Sequence, residues 1–464
     1  MITGILSNLQ SVFVFIVVLS VLILVHEWGH FITAKRLGIE VQRFALGFGP
    51  TLYSKTFNNT TYMVNAIPLG GYVKMAGDER LECKGAPGEF YSKSIGYRSL
   101  VVVNGPVVNF ILAYISFVLV FMIGYPGQSA IIREITQDGP AHVSGLQAGD
   151  QVVALNSRKT YGWMNLESRL EGSQPEAINV TVTRDGEQIT RSVVPKIISK
   201  PNVLGKPRMV RDLGIDNLPN VVGGFVEGYP AEAAGLKVGD RIIEINSKEI
   251  SSWIDLQDGI ANSAGDRITL KVMRNNVVFE KTLVPRIDFQ KDENGQEVQK
   301  RKIGIGPEQE LDLFKFGAWD SVKFAGEELW FITALTYESL FRMVTGAMSA
   351  KESMTGPVGI FYIVKGAAEA GLSHLLFILG VISASLAIFN LLPVIPLDGG
   401  HLFLFGIEKI RGKALSPRVD EYIARAGFSL IILLAVFVFY SDFARFGWLE
   451  NIGRWFGALG KLFP

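Results

Sequence analysis

Val25-His26-Glu27-Trp28-Gly29-His30 is the stretch from which the rest of the chain is read. It carries H-E-x-x-H at the end of an uncharged apolar run, Val12 to Val25. On a helix, residues four apart lie one above the other, so His26 and His30 face the same way. Two neutral imidazoles so placed suit one Zn2+ ion, and the intervening Glu27 suits a general base toward a water activated by the metal. Ionisable groups within a membrane span are costly and mark function. The chain has only 5 histidines, which makes a chance match rare.

Outward from this motif, hydropathy and charge set the class. Hydrophobic residues make up 48% of the 464 residues and mean hydropathy is +0.28, which sends the search toward further spans. The formal net charge of +1, with no basic run, argues against nucleic acid or any other polyanionic partner. The single cysteine, Cys83, allows no internal disulfide and excludes a four-thiolate zinc site. The N-terminal segment lacks the basic start and small-residue cleavage site of a signal peptide. Lys35, Arg36 and Arg43 follow the first span, placing its C-terminal end in the cytoplasm and the N-terminus outside.

The fold class expected is a polytopic α-helical membrane protein with four transmembrane helices, a membrane-associated β region and, between spans two and three, two tandem domains on the outer, periplasmic face. Residues 1–34 form the first transmembrane helix. Residues 35–98 form a cytoplasmic-side β region of short strands and turns, punctuated by Gly47, Gly49-Pro50, Pro68 and Gly70-Gly71. Residues 99–124 form the second span, with Gly105-Pro106 inside it. Asn109 in that span either packs near the metal helix or serves only as helix–helix glue. Residues 309–374 read as an amphipathic helical region, on the membrane surface or packed as an ordinary helix, broken at Thr355-Gly356-Pro357. Residues 375–401 form the third span and 402–425 a basic cytoplasmic loop. Residues 426–441 form the fourth span and 442–464 a periplasmic tail.

Between spans two and three the chain turns polar and repeats itself. Gly139-Pro-Ala-His-Val-Ser-Gly-Leu-Gln-Ala-Gly-Asp150 answers to Tyr229-Pro-Ala-Glu-Ala-Ala-Gly-Leu-Lys-Val-Gly-Asp240, and Trp163 to Trp253. The units, 125–216 and 217–308, close on Leu213-Gly214-Ile215 and Ile303-Gly304-Ile305. The shared pattern A-G-L-x-x-G-D-x-I/V-x-x-I/L-N resembles PDZ domains. The resemblance implies peptide-binding loops at the two closing triplets, unless the pair acts only by its bulk.

The metal needs a third ligand. Spans one and three both run inward, and the third ends in Asn390-Leu-Leu-Pro393-Val-Ile-Pro396-Leu-Asp398-Gly-Gly-His401. Asp398 therefore reaches the depth of His26, and a carboxylate beside two histidines leaves the fourth position for water. His401 reads as a group behind the ligands or as a fourth ligand. Asn390 either binds substrate or packs. His142 and His374 fall outside the site.

The pair H-E-x-x-H and N-x-x-P-x-x-P-L-D-G resembles the site-2 protease family of intramembrane zinc metalloproteases. The resemblance covers nearly the whole chain. It implies one zinc on His26, His30 and Asp398, Glu27 as base, and cleavage inside the membrane segments of single-pass proteins. Substrates of that kind are an anti-sigma factor already trimmed outside, as in regulated proteolysis of the envelope stress response, and leftover signal peptides. It also implies a bacterial inner-membrane location and an outer PDZ pair that excludes substrates with bulky outer domains. An unwound substrate would add as a strand beside Tyr62 to Val73, near Gly70, Gly71 and Tyr72. A tether with a vestigial site has no use for Glu27, and a metal transporter would want more membrane carboxylates.

Overall fold

The computed structural model describes residues 2–445 except 175, 202–206, 227, 251, 292–296, 310 and 350–353. The chain divides into two compact units, Met1–Tyr125 with Lys315–Pro464 and Pro126–Phe314.

The first unit is helical around one sheet. Helices α1 (Ile2–Arg36) and α2 (Ile95–Ile123) flank β1 (Val41–Phe57) and β2 (Thr60–Met75) in sequence. Then come α3 (Ala318–Val344), α4 (Pro357–Ala370), α5 (Leu372–Asn390), α6 (Asp398–Arg411) and α7 (Pro417–Arg445). Among the described residues, 4 helical segments are long and apolar enough to cross a membrane: Leu9–Arg36, Ile95–Ile123, Leu372–Asn390 and Arg418–Phe443. Even the 19-residue α5 is about 28 Å long, close to the hydrocarbon thickness of about 30 Å. Large apolar side chains stay exposed along them, among them Phe13, Ile111, Ile115 and Leu433, as a lipid-facing surface requires.

Small and polar residues join these helices. A Cβ added to Gly29 of α1 would sit 2.5 Å from the Asn104 carbonyl of α2. Asn104 Nδ2 donates to the Gly29 carbonyl at 3.1 Å and to Thr33 Oγ1 at 2.6 Å. Ser383 of α5 donates to the Asn109 carbonyl at 2.8 Å. Close approach of backbones with interhelical hydrogen bonds is how helices associate where no hydrophobic drive exists.

The strands of the β region are longer and more folded than the short strands expected, and they end at Met75, well before residue 98. Its tip is Asn58-Asn59, with φ of 47° and 60°, a turn the glycine and proline punctuation does not mark. That punctuation instead bends each strand midway. Phe44 consequently has Val73 on one side and Tyr62 on the other, while Tyr62 also faces Lys55. The two strands thus fold into four ribbons, with Gly71–Met75 at one margin and Tyr62 on an inner ribbon. The expected edge from Tyr62 to Val73 is therefore corrected to Gly71–Met75, because Tyr62 is already paired on both sides.

The C-terminal half also differs from expectation. The third span ends at Asn390, and Asp398 opens a separate helix, α6, after the turn at Leu391–Leu397. The expected loop 402–425 is mostly helix: α6 runs to Arg411, Gly412 ends it at φ 67°, and α7 begins at Pro417. The basic residues that suggested a loop, Lys409, Arg411, Lys413, Arg418 and Arg425, all follow the buried Glu408, which contacts Arg80 and lies 3.2 Å from Arg98. Asp442 of α7 is buried and accepts from Gly356 N and Gly359 N at 3.1 and 3.0 Å, satisfying the first amides of α4. Residues 446–464 of the expected tail lie outside the described residues.

The second unit builds one pattern twice. Strands Gln151–Leu155, Arg158–Lys159, Ile178–Arg184 and Glu187–Val193 form one four-stranded sheet. Arg241–Ile245, Lys248–Glu249, Ile268–Arg274 and Val277–Leu283 form another of the same order. Val152 faces Val182 as Ile242 faces Val272. Helices Gly162–Arg169 and Trp253–Ala261 bury Trp163 and Trp253 against their sheets. Asp150 is held by Arg184 at 2.7 Å, and Asp240 by Arg274 at 2.5 Å. The turns Asn156-Ser157 and Asn246-Ser247 adopt positive φ in both copies. Each copy also carries a hairpin that the sequence reading lacked, Lys196–Pro201 with Pro207–Asp212 and Arg286–Lys291 with Glu297–Lys302.

Candidate metal centre

α1 sets His26 and His30 on one face, and α6 brings its first residue, Asp398, against them. His26 Nε2 lies 3.2 Å from Asp398 Oδ2, and His30 Nε2 lies 3.5 Å from Asp398 Oδ1. The two Nε2 atoms are 3.2 Å apart. In a tetrahedral zinc site with bonds of about 2.0–2.1 Å, neighbouring ligand atoms stand about 3.3 Å apart. The three side chains are largely buried and contribute one donor atom each to a single cluster. Asp398 Oδ2 is buried without a hydrogen-bond donor, as a ligand oxygen would be. The donor set therefore fits one zinc.

The tight turn ahead of Asp398 makes this possible. A Cβ on Gly399 would lie 2.2 Å from the Leu391 carbonyl, and one on Gly400 would lie 2.6 Å from Ile395 N. Only glycines let the start of α6 sit so close to the chain that precedes it. From α2, Gly105 approaches the imidazoles so closely that a Cβ there would lie 2.4 Å from His30 Nε2. His30 Nδ1 donates to the Val101 carbonyl at 2.9 Å, leaving its Nε2 free to ligate. Neither Gly105 nor Val101 was assigned to the site from sequence. The Gly105-Pro106 pair inside a span was the available signal.

The sheet margin supplies the other wall. A Cβ on Gly71 would meet Glu27 Cγ at 3.1 Å and Ile23 Cγ2 at 3.0 Å, so the ribbon passes directly against α1. Val73, on the same margin, lines one cavity with Glu27. A cavity of about 400 Å3 opens beside the cluster, lined by Glu27, His30, Tyr72, Asp398, His401 and Phe405 among others.

The remaining residues singled out from sequence divide clearly. Asn390 Nδ2 is 3.4 Å from His26 Nε2, and Asn109 is buried with its amide 3.3 Å from His26 Nδ1. His401 lines the cavity but is not part of the donor cluster. Gly71 and Tyr72 border the site. Gly70 packs on Phe48, and Tyr62 packs with Phe31 and Phe44. His142 is an exposed residue of the second unit, and His374 stands in the first turn of α5. Leu213 and Ile303 are buried in their sheets' cores. Gly214 and Gly304 take φ of 71° and 78°. Ile215 pairs with Ile135, and Ile305 with Phe225. A larger cavity in the second unit, about 640 Å3 and lined by Arg133, Glu134, Arg241 and Glu308 among others, holds no metal-donor cluster among the described residues. Of these two cavities, the smaller borders the donor cluster.

Comparison with known proteins gives the family. The family description "Peptidase family M50" matches residues 14–434. The chain is 33% identical to the regulator of sigma-E protease RseP of Escherichia coli (strain K12) over 456 residues, 95% of this chain and 100% of that protein. It is 32% identical to protease RseP of Yersinia pestis over 459 residues, again 95% and 100%. A putative zinc metalloprotease of Vibrio cholerae is 30% identical over 450 residues, 93% of this chain and 98% of that protein. The chain belongs to peptidase family M50, the site-2 proteases.

Proposed function

We propose that this M50-family chain is a zinc metalloprotease of the bacterial inner membrane that hydrolyses peptide bonds within the membrane segments of single-pass proteins. The observation that carries the reading is the convergence of His26 Nε2, His30 Nε2 and one Asp398 oxygen beside Glu27, on helices apolar enough to lie in a bilayer. His26, His30 and Asp398 would hold one zinc, and zinc so held supplies Lewis-acid polarisation and a water acidic enough to attack at neutral pH. Glu27, which lines the same cavity, would accept a proton from a water so activated.

A helical substrate hides its carbonyls in its own hydrogen bonds, so a segment must unwind before it reacts. The margin Gly71–Met75 is the place for it to add as a strand, with Tyr72 beside the cavity and Asn390 near the metal-facing atoms to steady the reacting carbonyl. Substrates of the anti-sigma type belong to this reading, and the relatives' names, which describe regulators of sigma-E, support it. Both chain ends and the second unit lie on the periplasmic side in this reading, and the metal lies nearer the cytoplasm.

The repeated unit is read as two PDZ domains that limit access by bulky substrates. The observation that supports it is the duplicated sheet, helix and closing glycine, inserted in the chain between α2 and α3. Purified full-length chain, reconstituted with a candidate single-pass substrate, should cut it within the membrane segment. A zinc chelator should stop cleavage, and added zinc should restore it. Cleavage undiminished in a chain shown to be free of metal would contradict the reading.

A further inference from the structure

The two ligating imidazoles are held from behind by the same helix, but by different groups. His30 Nδ1 lies 2.9 Å from the Val101 carbonyl, which can only accept, so the proton sits on Nδ1. Two turns along α2, Asn109 places its amide 3.3 Å from His26 Nδ1. Gly105 lies between them, bare of a side chain where the imidazoles pass. Asn109 is fully buried, its carbonyl is anchored by Ser383, and its Oδ1 has no hydrogen-bond partner.

Which amide atom faces His26 decides what His26 can do. With Nδ2 facing it, Nδ1 must accept, and the ring proton moves to Nε2. Nε2, however, is the atom aimed at Asp398 and His30. A protonated Nε2 cannot ligate. The oxygen and nitrogen of an amide fill the same envelope and are told apart only by their partners. Exchanging them leaves one amide atom unpartnered either way, so the count of hydrogen bonds does not choose between them. Ligation by His26 does choose.

We infer that Asn109 is a positioning residue of the metal centre: its Oδ1 accepts the Nδ1 proton of His26 and frees Nε2 for the zinc. The inference rests on the zinc reading above and deepens it. α2 then serves both imidazoles, one through a backbone carbonyl and one through a side chain. The backbone half cannot be removed by substitution, but the side-chain half can.

The test is zinc affinity of the full-length chain in detergent, by competition with a chromophoric chelator, for wild type, Asn109→Leu and Asn109→Asp. Leucine keeps the volume and removes the acceptor; aspartate keeps an acceptor oxygen. Asn109→Leu should bind zinc about 10- to 100-fold more weakly, the usual effect of losing such a partner, and Asn109→Asp should stay within a few-fold of wild type. Equal affinity in wild type and Asn109→Leu would overturn the inference and leave the zinc reading standing. Loss in both variants alike would also overturn it, since packing rather than an acceptor would then be at stake. Wild type that binds no zinc would overturn both. Should the leucine variant fail to fold, the imidazole 15N spectrum of histidine-labelled, zinc-loaded wild type decides the matter. A protonated Nδ1 at His26, shifted by Asn109→Asp, is expected, and an unprotonated Nδ1 would refute it.

Discussion

At the scale of single residues, the candidate donor cluster was largely legible because its signals are local. His26, Glu27 and His30 lie within one turn of helix, and Asp398 sits in a Pro- and Gly-marked turn that breaks an apolar run. What was not legible lies in groups met across long separations. The Val101 carbonyl behind His30 has no side-chain identity to read, and Gly105 matters only because α1 passes beside it. The ion cluster of Glu408 with Arg80 and Arg98 joins residues more than three hundred positions apart. At this scale the account predicts that Asp398→Ala lowers bound zinc from one per chain to a small fraction, measured by elemental analysis of the purified protein. Two histidines alone leave the ion underbound. If Asp398→Ala keeps full zinc and activity, His401, which lines the same cavity, becomes the ligand to test.

At the scale of elements, the spans follow from apolar runs, but their ends do not. A helix can continue past its apolar segment on packing alone. α7 begins at Pro417, among charged residues, because Arg80 and Asp420 pair at 3.1 Å and Asp442 caps α4 at its other end. The sheet was legible as short strands, but its order depends on bends whose partners are remote in sequence. Gly71 tests its placement. Valine there would press on Glu27 and Ile23, so Gly71→Val should lower the turnover number by tenfold or more while zinc content stays unchanged. Wild-type turnover by this variant would remove the sheet margin from the reaction.

The second unit offers a test by pH. Burial, with the nearby Asp216 charge, raises Glu134 to about 7 against the opposing pull of Arg241. The unfolded chain ionises Glu134 near 4.5, so the folded form holds its proton over the range between. Stability from this group is lost as pH rises through that range, and the penalty is complete above about 7. The thermal midpoint of the second unit should therefore fall between pH 5.5 and pH 8 by more in wild type than in Glu134→Gln, as read by calorimetry. Equal slopes would show that Glu134 titrates normally.

At the scale of the whole molecule, one chain joins a helical unit with the metal cluster to an inserted unit of duplicated sheets. The duplication was legible because both copies keep the same buried positions, Trp163 with Trp253 and Asp150 with Asp240. If the inserted unit limits access, replacing Gly124 to Pro307 by a flexible linker should raise the ratio of untrimmed to trimmed substrate cut, with zinc still bound. An unchanged ratio in a folded, zinc-loaded deletion would assign the unit to peptide recognition or to span positioning. The central claim, that Glu27 is the base at a zinc centre inside the membrane, is tested most directly by Glu27→Gln in the full-length chain. Zinc content and cleavage of a reconstituted single-pass substrate are measured on the same preparation. The account predicts one zinc per chain, as in wild type, with cleavage reduced at least about 100-fold. Near-wild-type cleavage by zinc-loaded Glu27→Gln would contradict it.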